Sequence, residues 1–265
     1  MGRSPDHSFV VPAYRSSPHL ADCLASLASQ TLAGSEIVVS TSTPSGELEA
    51  LAARFGARYA VHAPNAGIGR DWNMAVAQAR RRWVTIAHQD DLYLPDFVAK
   101  TMRVAEAAPD ASLVLTDYVE LLGETERPRT RMLRIKRLLL ELGFLGRRSI
   151  RREADKLRLL RFGCPIACPS VTLGPGATGV TFREDLKVDL DWEAWIRLAR
   201  RPGAFCFVRE RLMAHRIHAE SETSVGVRGG VRAREDAAMF ASLWPTPIAT
   251  LLARAYAHSY EAGGH

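Results

Sequence analysis

The chain has 265 residues, 47% of them hydrophobic and 24% charged, with a formal net charge of +6. That leaves room for one large domain or two small ones around an ample core, in a composition ordinary for a soluble globular protein. It excludes a membrane-spanning helix, since no run of about 18 apolar residues occurs. It also excludes a zinc or disulfide framework, since Cys23, Cys164, Cys168 and Cys206 show neither spacing.

In chain order, Met1 to His7 lacks an apolar signal segment, and Asp6 stands where a myristoylation pattern needs Ser or Thr. A cytoplasmic protein with reduced thiols is therefore expected. Ser8–Ala13 reads as a buried strand ended by Pro12 and Tyr14. Pro18–Gln30 carries Leu20, Cys23, Leu24, Leu27 and Ala28 at helical spacing. Glu36–Val39 is a second strand running into the polar stretch Ser40 to Gly46. Glu47–Phe55 is a helix closed by Gly56. Arg58–His62 is a weaker strand. A loop with Pro64, Asn65, Gly67 and Gly69 then leads to a helix over Asp71–Arg81.

Trp83–Ala87 is apolar or β-branched and reads as a strand buried on both faces. It runs straight into Asp90 and Asp91. Open α/β sheets bind ligands outside the carboxyl ends of their strands, and paired carboxylates offer hard oxygen ligands for Mg²⁺ or Mn²⁺. The plainer reading is a surface turn with Asp96 as the next helix cap. The βαβαβαβ order to this point indicates a mostly parallel, doubly wound sheet.

Pro95–Ala107 is a helix and Ser112–Tyr118 a strand, after which the pattern breaks. Arg131–Leu145 and Ile150–Phe162 read as two basic amphipathic helices, the first with Met132, Ile135, Leu138, Leu139 and Leu142 as its apolar stripe. The Arg and Lys residues from Arg127 to Arg161 suit an anionic partner or simply solvated helix faces. The lack of interleaved aromatics argues against nucleic acid. Ser170–Leu173 is a short strand and Gly174–Gly176 a turn. Asp191–Arg200 is a helix with Trp192, Trp195, Ile196 and Ala199 on one face, a spacing that suits a core. Ala204–Val208 and Arg211–His215 read as two strands. The loop Ala219–Gly230 precedes helices at Val231–Leu243 and Ile248–Tyr260.

Five stretches in this order resemble the inverting glycosyltransferases of family 2, which have the GT-A fold. They are Val10-Val11-Pro12-Ala13-Tyr14, Asn65-x-Gly67 through Asn73, His88-Gln89-Asp90-Asp91, Asp191-Trp192-Glu193-Ala194-Trp195, and Arg216-Ile217-His218 followed by Ser221 and Ser224. The resemblance implies a metal-dependent transfer of a sugar from a nucleotide-sugar donor to a hydroxyl of a glycan, lipid-linked or small-molecule acceptor. It implies Mn²⁺ or Mg²⁺ held by Asp91 and His218, with His215 as substitute, and Asp90 on the donor ribose. It makes Asp191 the general base, with Asp189 and Glu193 as nearby alternatives and a helix cap as the plain reading. A helix dipole at that position favours an ionised Asp191. Pro12, Tyr14, Ser40, Thr41, Thr43, Gly67, Arg70, Asn73 and Arg216 become the remaining nucleotide-sugar contacts.

The chain departs from the family pattern in three places. Ser40 to Thr43 offers no carboxylate where many members read uracil, His88 takes the first acidic position of the metal motif, and Trp72 replaces an Arg. The expected architecture is one continuous α/β GT-A domain. Residues 1–118 form the donor half, and residues 119–230 form the acceptor half with a basic helical insertion at 131–162. Helices at 231–265 complete the chain. Peripheral contact with a membrane is compatible with the basic segment. A nucleotidyltransferase is the first alternative, weakened because Ala13 to Ser17 holds no Gly for a triphosphate loop. A non-catalytic nucleotide-sugar or membrane-surface module is the second.

Overall fold

The computed structural model describes residues 4–218 and 230–261, with 258–261 as helical backbone only. Ser221 and Ser224 lie outside the described residues. The first half alternates strand and helix: β1 (His7–Ala13), α1 (Leu20–Ala28), β2 (Glu36–Thr41), α2 (Gly46–Arg54), β3 (Arg58–Val61), α3 (Ile68–Ala77), β4 (Trp83–Ile86). Then follow β5 (Leu92–Tyr93), α4 (Phe97–Ala107), β6 (Leu113–Leu122), β7 (Thr125–Arg127), α5 (Arg131–Phe144), β8 (Ser149–Ile150) and α6 (Glu153–Leu160). The rest is β9 (Val171–Leu173), α7 (Leu190–Ala199), β10 (Phe205–Arg216), α8 (Val231–Leu243) and α9 (Thr246–Glu261).

All ten strands join one sheet, in the order β3-β2-β1-β4-β9-β6-β10-β5, with β7 on β6 and β8 on β10. β3, β2, β1 and β4 are parallel, as are β6 and β10. β9 runs antiparallel between β4 and β6 and splices the two parallel blocks. Alternate residues of each strand enter different cores, as a period of two requires. Val10 and Ile86 face one core with Trp192 and Phe205, and Phe9, Val11 and Ala87 face the other with Phe97. The mixed α/β architecture expected from the sequence is the one observed. From β1 the chain pairs with β2 on one side and β4 on the other, which makes a switch point in strand order. The loops after β1 and β4 meet there, outside the carboxyl ends of the strands.

Several local expectations are corrected. α3 begins at Ile68, three residues before Asp71, because Gly67 turns into it at a φ of 102°. Ile150 belongs not to a helix but to β8, paired with Phe205. The two strands expected around Ala204–His215 are one, β10. Arg209 and Glu210, which separate the two expected strands, lie with Arg211 in an exposed, irregular stretch within it. Asp96 does not cap α4 with its side chain; its carboxylate accepts from the Thr31 hydroxyl. Of the stripe assigned to α5, Ile135, Leu138 and Leu142 face outward, and Met132 and Leu139 lie half-buried at its edge. Leu133, Leu140, Gly143 and Phe144 are the buried positions, on the opposite side of the helix.

Candidate functional site

β4 is buried throughout and ends where His88 to Asp91 turn outward. The turn is tied to the loop after β1. The Gln89 amide accepts from the Tyr14 N–H at 3.2 Å and donates back to the Tyr14 carbonyl at 3.3 Å. The Ser17 hydroxyl donates to Asp90 Oδ1 at 2.7 Å. The loop after β2 joins them, since the Arg15 N–H donates to Thr43 Oγ1 at 2.7 Å. Tyr14 itself is exposed and Thr43 half-buried, so both border open space. Ser40 and Thr41 lie inside the protein.

The two carboxylates of the turn have different settings. Asp91 is 1% exposed. Its Oδ1 accepts from His215 Nδ1 at 3.0 Å and from the Arg216 N–H at 2.9 Å, and its Oδ2 lies 3.2 Å from the same imidazole nitrogen. Burial works against its charge, but the His215 charge and these hydrogen bonds outweigh it and hold the carboxyl below its ordinary value. His215 is correspondingly raised: burial disfavours its proton and Asp91 more than restores it. Asp91 is thus occupied inside the protein. Asp90 keeps 24% of its side chain exposed, and its Oδ2 sits 3.2 Å from His218 Nε2. The carboxylate that meets His218 is therefore Asp90. The expectation placed Asp91 beside His218, with Asp90 on the donor ribose; in the structure Asp91 faces His215 instead.

His88 is explained by its neighbour. Its ring lies 5.1 Å from that of Trp72, which packs edge-on against Phe182 at 5.0 Å. Burial lowers the imidazole's pKa and keeps it neutral. The two departures at His88 and Trp72 are thus a single contact, in which two rings pack together.

The carboxylate missing from the end of β2 is partly supplied from α3. Asp71 is buried, with Oδ2 accepting from the Ser42 hydroxyl at 3.1 Å and Oδ1 lying 3.0 Å from His62 Nε2. Ser40 closes the chain at 3.2 Å from His62 Nδ1.

Asp191 arrives from another direction. It is the second residue of α7, not its cap, and its Oδ1 accepts from the Trp192 N–H at 2.7 Å. Burial raises its pKa to about 6, against the pull of that N–H, of Lys136 and of Arg232. Burial therefore wins over the helix dipole that the sequence suggested. Lys136 of α5 was not anticipated. Its ammonium donates to the Tyr118 hydroxyl at 3.0 Å and lies within electrostatic reach of both Asp191 and His215. Cys168 feels both Asp191 and Asp91, so the two acidic regions converge across it. Of the alternatives to Asp191, Glu193 pairs with Arg197 on the same helix. Asp189 is buried beside Asp236, and burial together with that acid pushes its carboxyl well up. Glu235 of α8 accepts the N–H groups of Lys187, Val188 and Asp189, each at 2.9 Å, just before α7.

Other expected contacts have these settings in the structure. Asn73 clamps Phe182, donating to its carbonyl at 2.8 Å and accepting its N–H at 2.7 Å, so the amide is fixed against that backbone. Arg216 is buried, donating to the Asp90 and Gly123 carbonyls, and positions the acidic turn rather than a phosphate. Arg70 lies 3.9 Å from Glu184. Gly67 serves a turn of positive φ, open on its Cβ side, while at Gly69 a Cβ would fall 2.5 Å from the Arg183 carbonyl, so close packing within the chain requires that glycine. Pro12 stays at its place in β1, opposite Ser40. Trp192 and Trp195 are core residues.

The model of the glycosyl transferase family 2 matches residues 8–174. Among curated proteins, the putative glycosyltransferase EpsH of Bacillus subtilis (strain 168) is 26% identical over 126 residues. The match covers 46% of this chain and 36% of that protein, so the chain spans about a third of that relative's length. Among solved structures, S. aureus TarS 1-349 in complex with UDP-GlcNAc superposes with a TM-score of 0.65 at 14% identity, covering 89% of this chain and 71% of that one. The mannosyltransferase PcManGT from Pyrobaculum calidifontis, in complex with GDP-Man and Mn2+, gives 0.62 at 16% identity, covering 97% and 70%. These structural likenesses establish the fold.

Proposed function

Because the chain belongs to glycosyl transferase family 2, we propose that it moves a sugar from a nucleoside diphosphate sugar to an acceptor hydroxyl by a single, inverting displacement. The observation that carries this is the pairing of Asp90 and His218, accessible and 3.2 Å apart, supported by an Asp191 whose pKa is raised to about 6. UDP-GlcNAc and GDP-Man in two proteins of the same fold support a nucleoside diphosphate donor.

A divalent cation fits the first pair. A carboxylate and an imidazole side by side are donors that suit Mn²⁺, and a carboxylate alone suits Mg²⁺. Asp90 and His218 would hold such an ion, and among the described residues no group of three or more His, Cys, Asp or Glu is gathered for one. When bound, such an ion stabilises the charge that gathers on the departing diphosphate. Asp91, His215 and Arg216 hold the turn that presents Asp90.

The acceptor oxygen bonds to the anomeric carbon as the bond from that carbon to the diphosphate oxygen breaks. Asp191 takes the hydroxyl proton. A base with a pKa near 6 is ionised at neutral pH yet still basic enough to accept it. Lys136 keeps Asp191 from rising further and supplies positive charge on the acceptor side. The open space bordered by Tyr14 and Thr43 takes the nucleotide, with Ser42 and Asp71 beneath. On this reading residues 1–118 hold the donor and residues 119–230 the acceptor. The test is a panel of uridine, guanosine and thymidine diphosphate sugars with Mn²⁺, read as release of nucleoside diphosphate. Asp191→Asn is expected to lower turnover by about 10²–10⁴-fold. Full turnover in that variant would remove Asp191 from the reaction.

A further inference from the structure

α5 has two apolar faces. The inner one, Leu133, Leu140, Gly143 and Phe144, is buried. The outer one is exposed: Ile135 at 42%, Leu138 at 59%, Leu142 at 53%, and Leu145, just past the helix end, at 60%. At about 100° per residue the two sets point in opposite directions, and the outer stripe runs roughly 15 Å along the helix. The helix cannot roll to bury it. Arg137 grips both carboxylate oxygens of Asp117 at 3.0 and 2.8 Å and the Tyr118 carbonyl at 2.7 Å.

The ends of the stripe are basic. Arg127, Arg129, Arg131 and Arg134 are exposed at its start, and Arg147 and Arg148 follow Leu145. No carboxylate lies within 4 Å of the first four among the described residues, while Glu141, the acid beside the stripe, is held by Arg209 at 2.7 Å. From Leu122 to Arg148 there are eight Lys or Arg against three Glu. Leu122, in the β6–β7 hairpin that leads into this helix, is a further exposed apolar residue.

We infer that this face docks on an anionic lipid bilayer, with Ile135, Leu138, Leu142 and Leu145 at the headgroup–acyl boundary and the arginines on lipid phosphates. A rigid apolar stripe of this length, led into by four arginines with no carboxylate within 4 Å among the described residues, has the complementarity that an interfacial helix requires; at its far end Arg147 pairs with Asp155. No described helix is long and apolar enough to cross a membrane, so the contact is peripheral. The docking stands apart from the transferase reading. One consequence rests on that reading: Lys136 projects from the inner side of the same helix, so docking sets the acceptor site about one helix diameter from the bilayer, in reach of a lipid-anchored acceptor.

The test is co-sedimentation of the full chain with vesicles of phosphatidylcholine alone or with roughly one-third phosphatidylglycerol. The expected result is binding to the anionic vesicles only, weakened by salt. Arg131→Gln with Arg134→Gln should weaken it about 25-fold, at roughly five-fold per arginine. Leu138→Gln with Leu142→Gln should weaken it at least about ten-fold. All four positions are exposed, so unchanged melting temperatures certify the variants. Absence of binding to anionic vesicles overturns the inference, as does binding that both double variants retain. A dimer in light scattering that Leu138→Gln with Leu142→Gln dissociates, without vesicle binding, assigns the face to a second copy instead.

Discussion

The division of labour between Asp90 and Asp91 is open to a direct comparison of two isosteric changes. Asp91→Asn removes a charge that is 1% exposed and held by the His215 imidazole and the Arg216 N–H. Removing one member of a buried ion pair costs about 3–5 kcal/mol. His215 keeps 28% of its side chain exposed, which places the cost near the low end, about 3 kcal/mol. For a chain of this size that is a melting temperature lower by roughly 6–12 °C. Asp90→Asn should cost under about 1 kcal/mol, since an amide can still accept from Ser17 and the site is partly solvated. Ligand response separates the two in the opposite sense. A nucleoside diphosphate with Mn²⁺ at about 100 times its dissociation constant stabilises by about 2.7 kcal/mol, or roughly 5–10 °C. Thermal unfolding of the three proteins, with and without Mn²⁺ and uridine or guanosine diphosphate, gives both readings. Asp91→Asn should melt low yet keep the Mn²⁺-dependent rise; Asp90→Asn should melt normally and lose it. A normally melting Asp91→Asn without the rise, beside an Asp90→Asn that keeps it, would refute the assignment.

Other expectations concern charge. With its pKa at about 6, Asp191 should give turnover an acid limb, near its plateau above pH 7 and down to about a tenth at pH 5; a pH–rate profile flat to pH 5 would contradict the base assignment. Lys136→Met removes one of the charges that lower that pKa, so the limb should move to higher pH, and an unmoved limb would mean that Lys136 does not act on Asp191. Asp189 keeps its proton in the folded state far above the 3.8 of an ordinary Asp. The folded chain then binds more protons than the unfolded one above about pH 4, and stability falls as pH rises through that window. Asp189→Asn should accordingly melt higher than wild type at pH 8, with the gap closing toward pH 4; equal melting curves at both would count against the buried acid pair.

What was legible in the sequence was whatever local patterning dictates. β1 and β4 are short apolar runs between breakers, α1 and α2 carry periodic stripes, and Gly56 closes α2 at a φ of 64°. Illegible features depended on contacts across long separations. Both faces of α5 offer apolar residues, and distant contacts such as the docking of Phe144 on Phe207, at 5.4 Å, decide which is inward. Asp90 and Asp91 are neighbours of one chemistry, and what separates them is β10, which brings His215 and His218 back 124 and 128 residues later. The amide of Asn73 is claimed by Phe182, 109 residues on, which no local motif reveals. Lys136 had no motif, yet it sits on the same helix turn as Arg137, whose grip on Asp117 fixes the helix. A basic pair inside an otherwise apolar arc was the available signal.

The general base proposed here depends on a helix restrained at both ends by opposite charge. Before α7, Glu235 accepts the three successive N–H groups of Lys187, Val188 and Asp189. After it, the buried Lys156 donates to the carbonyls of Leu198, Arg201 and Gly203 at 3.4, 2.6 and 3.1 Å. An anion at the helix start and a cation at its end both match the macrodipole, and each ties down the chain entering or leaving the helix. Between them, Trp192 and Trp195 are fixed in the core, with the Trp192 indole donating to the Leu160 carbonyl at 3.1 Å. The side chain of Asp191 therefore projects from a backbone with little freedom to shift along or about its axis. A base that must meet one hydroxyl within hydrogen-bond reach gains from such fixing, because orientation is established before the acceptor arrives. Lys156, which reads as part of a solvated basic face, is in the structure a support for the opposite end of the helix that carries Asp191.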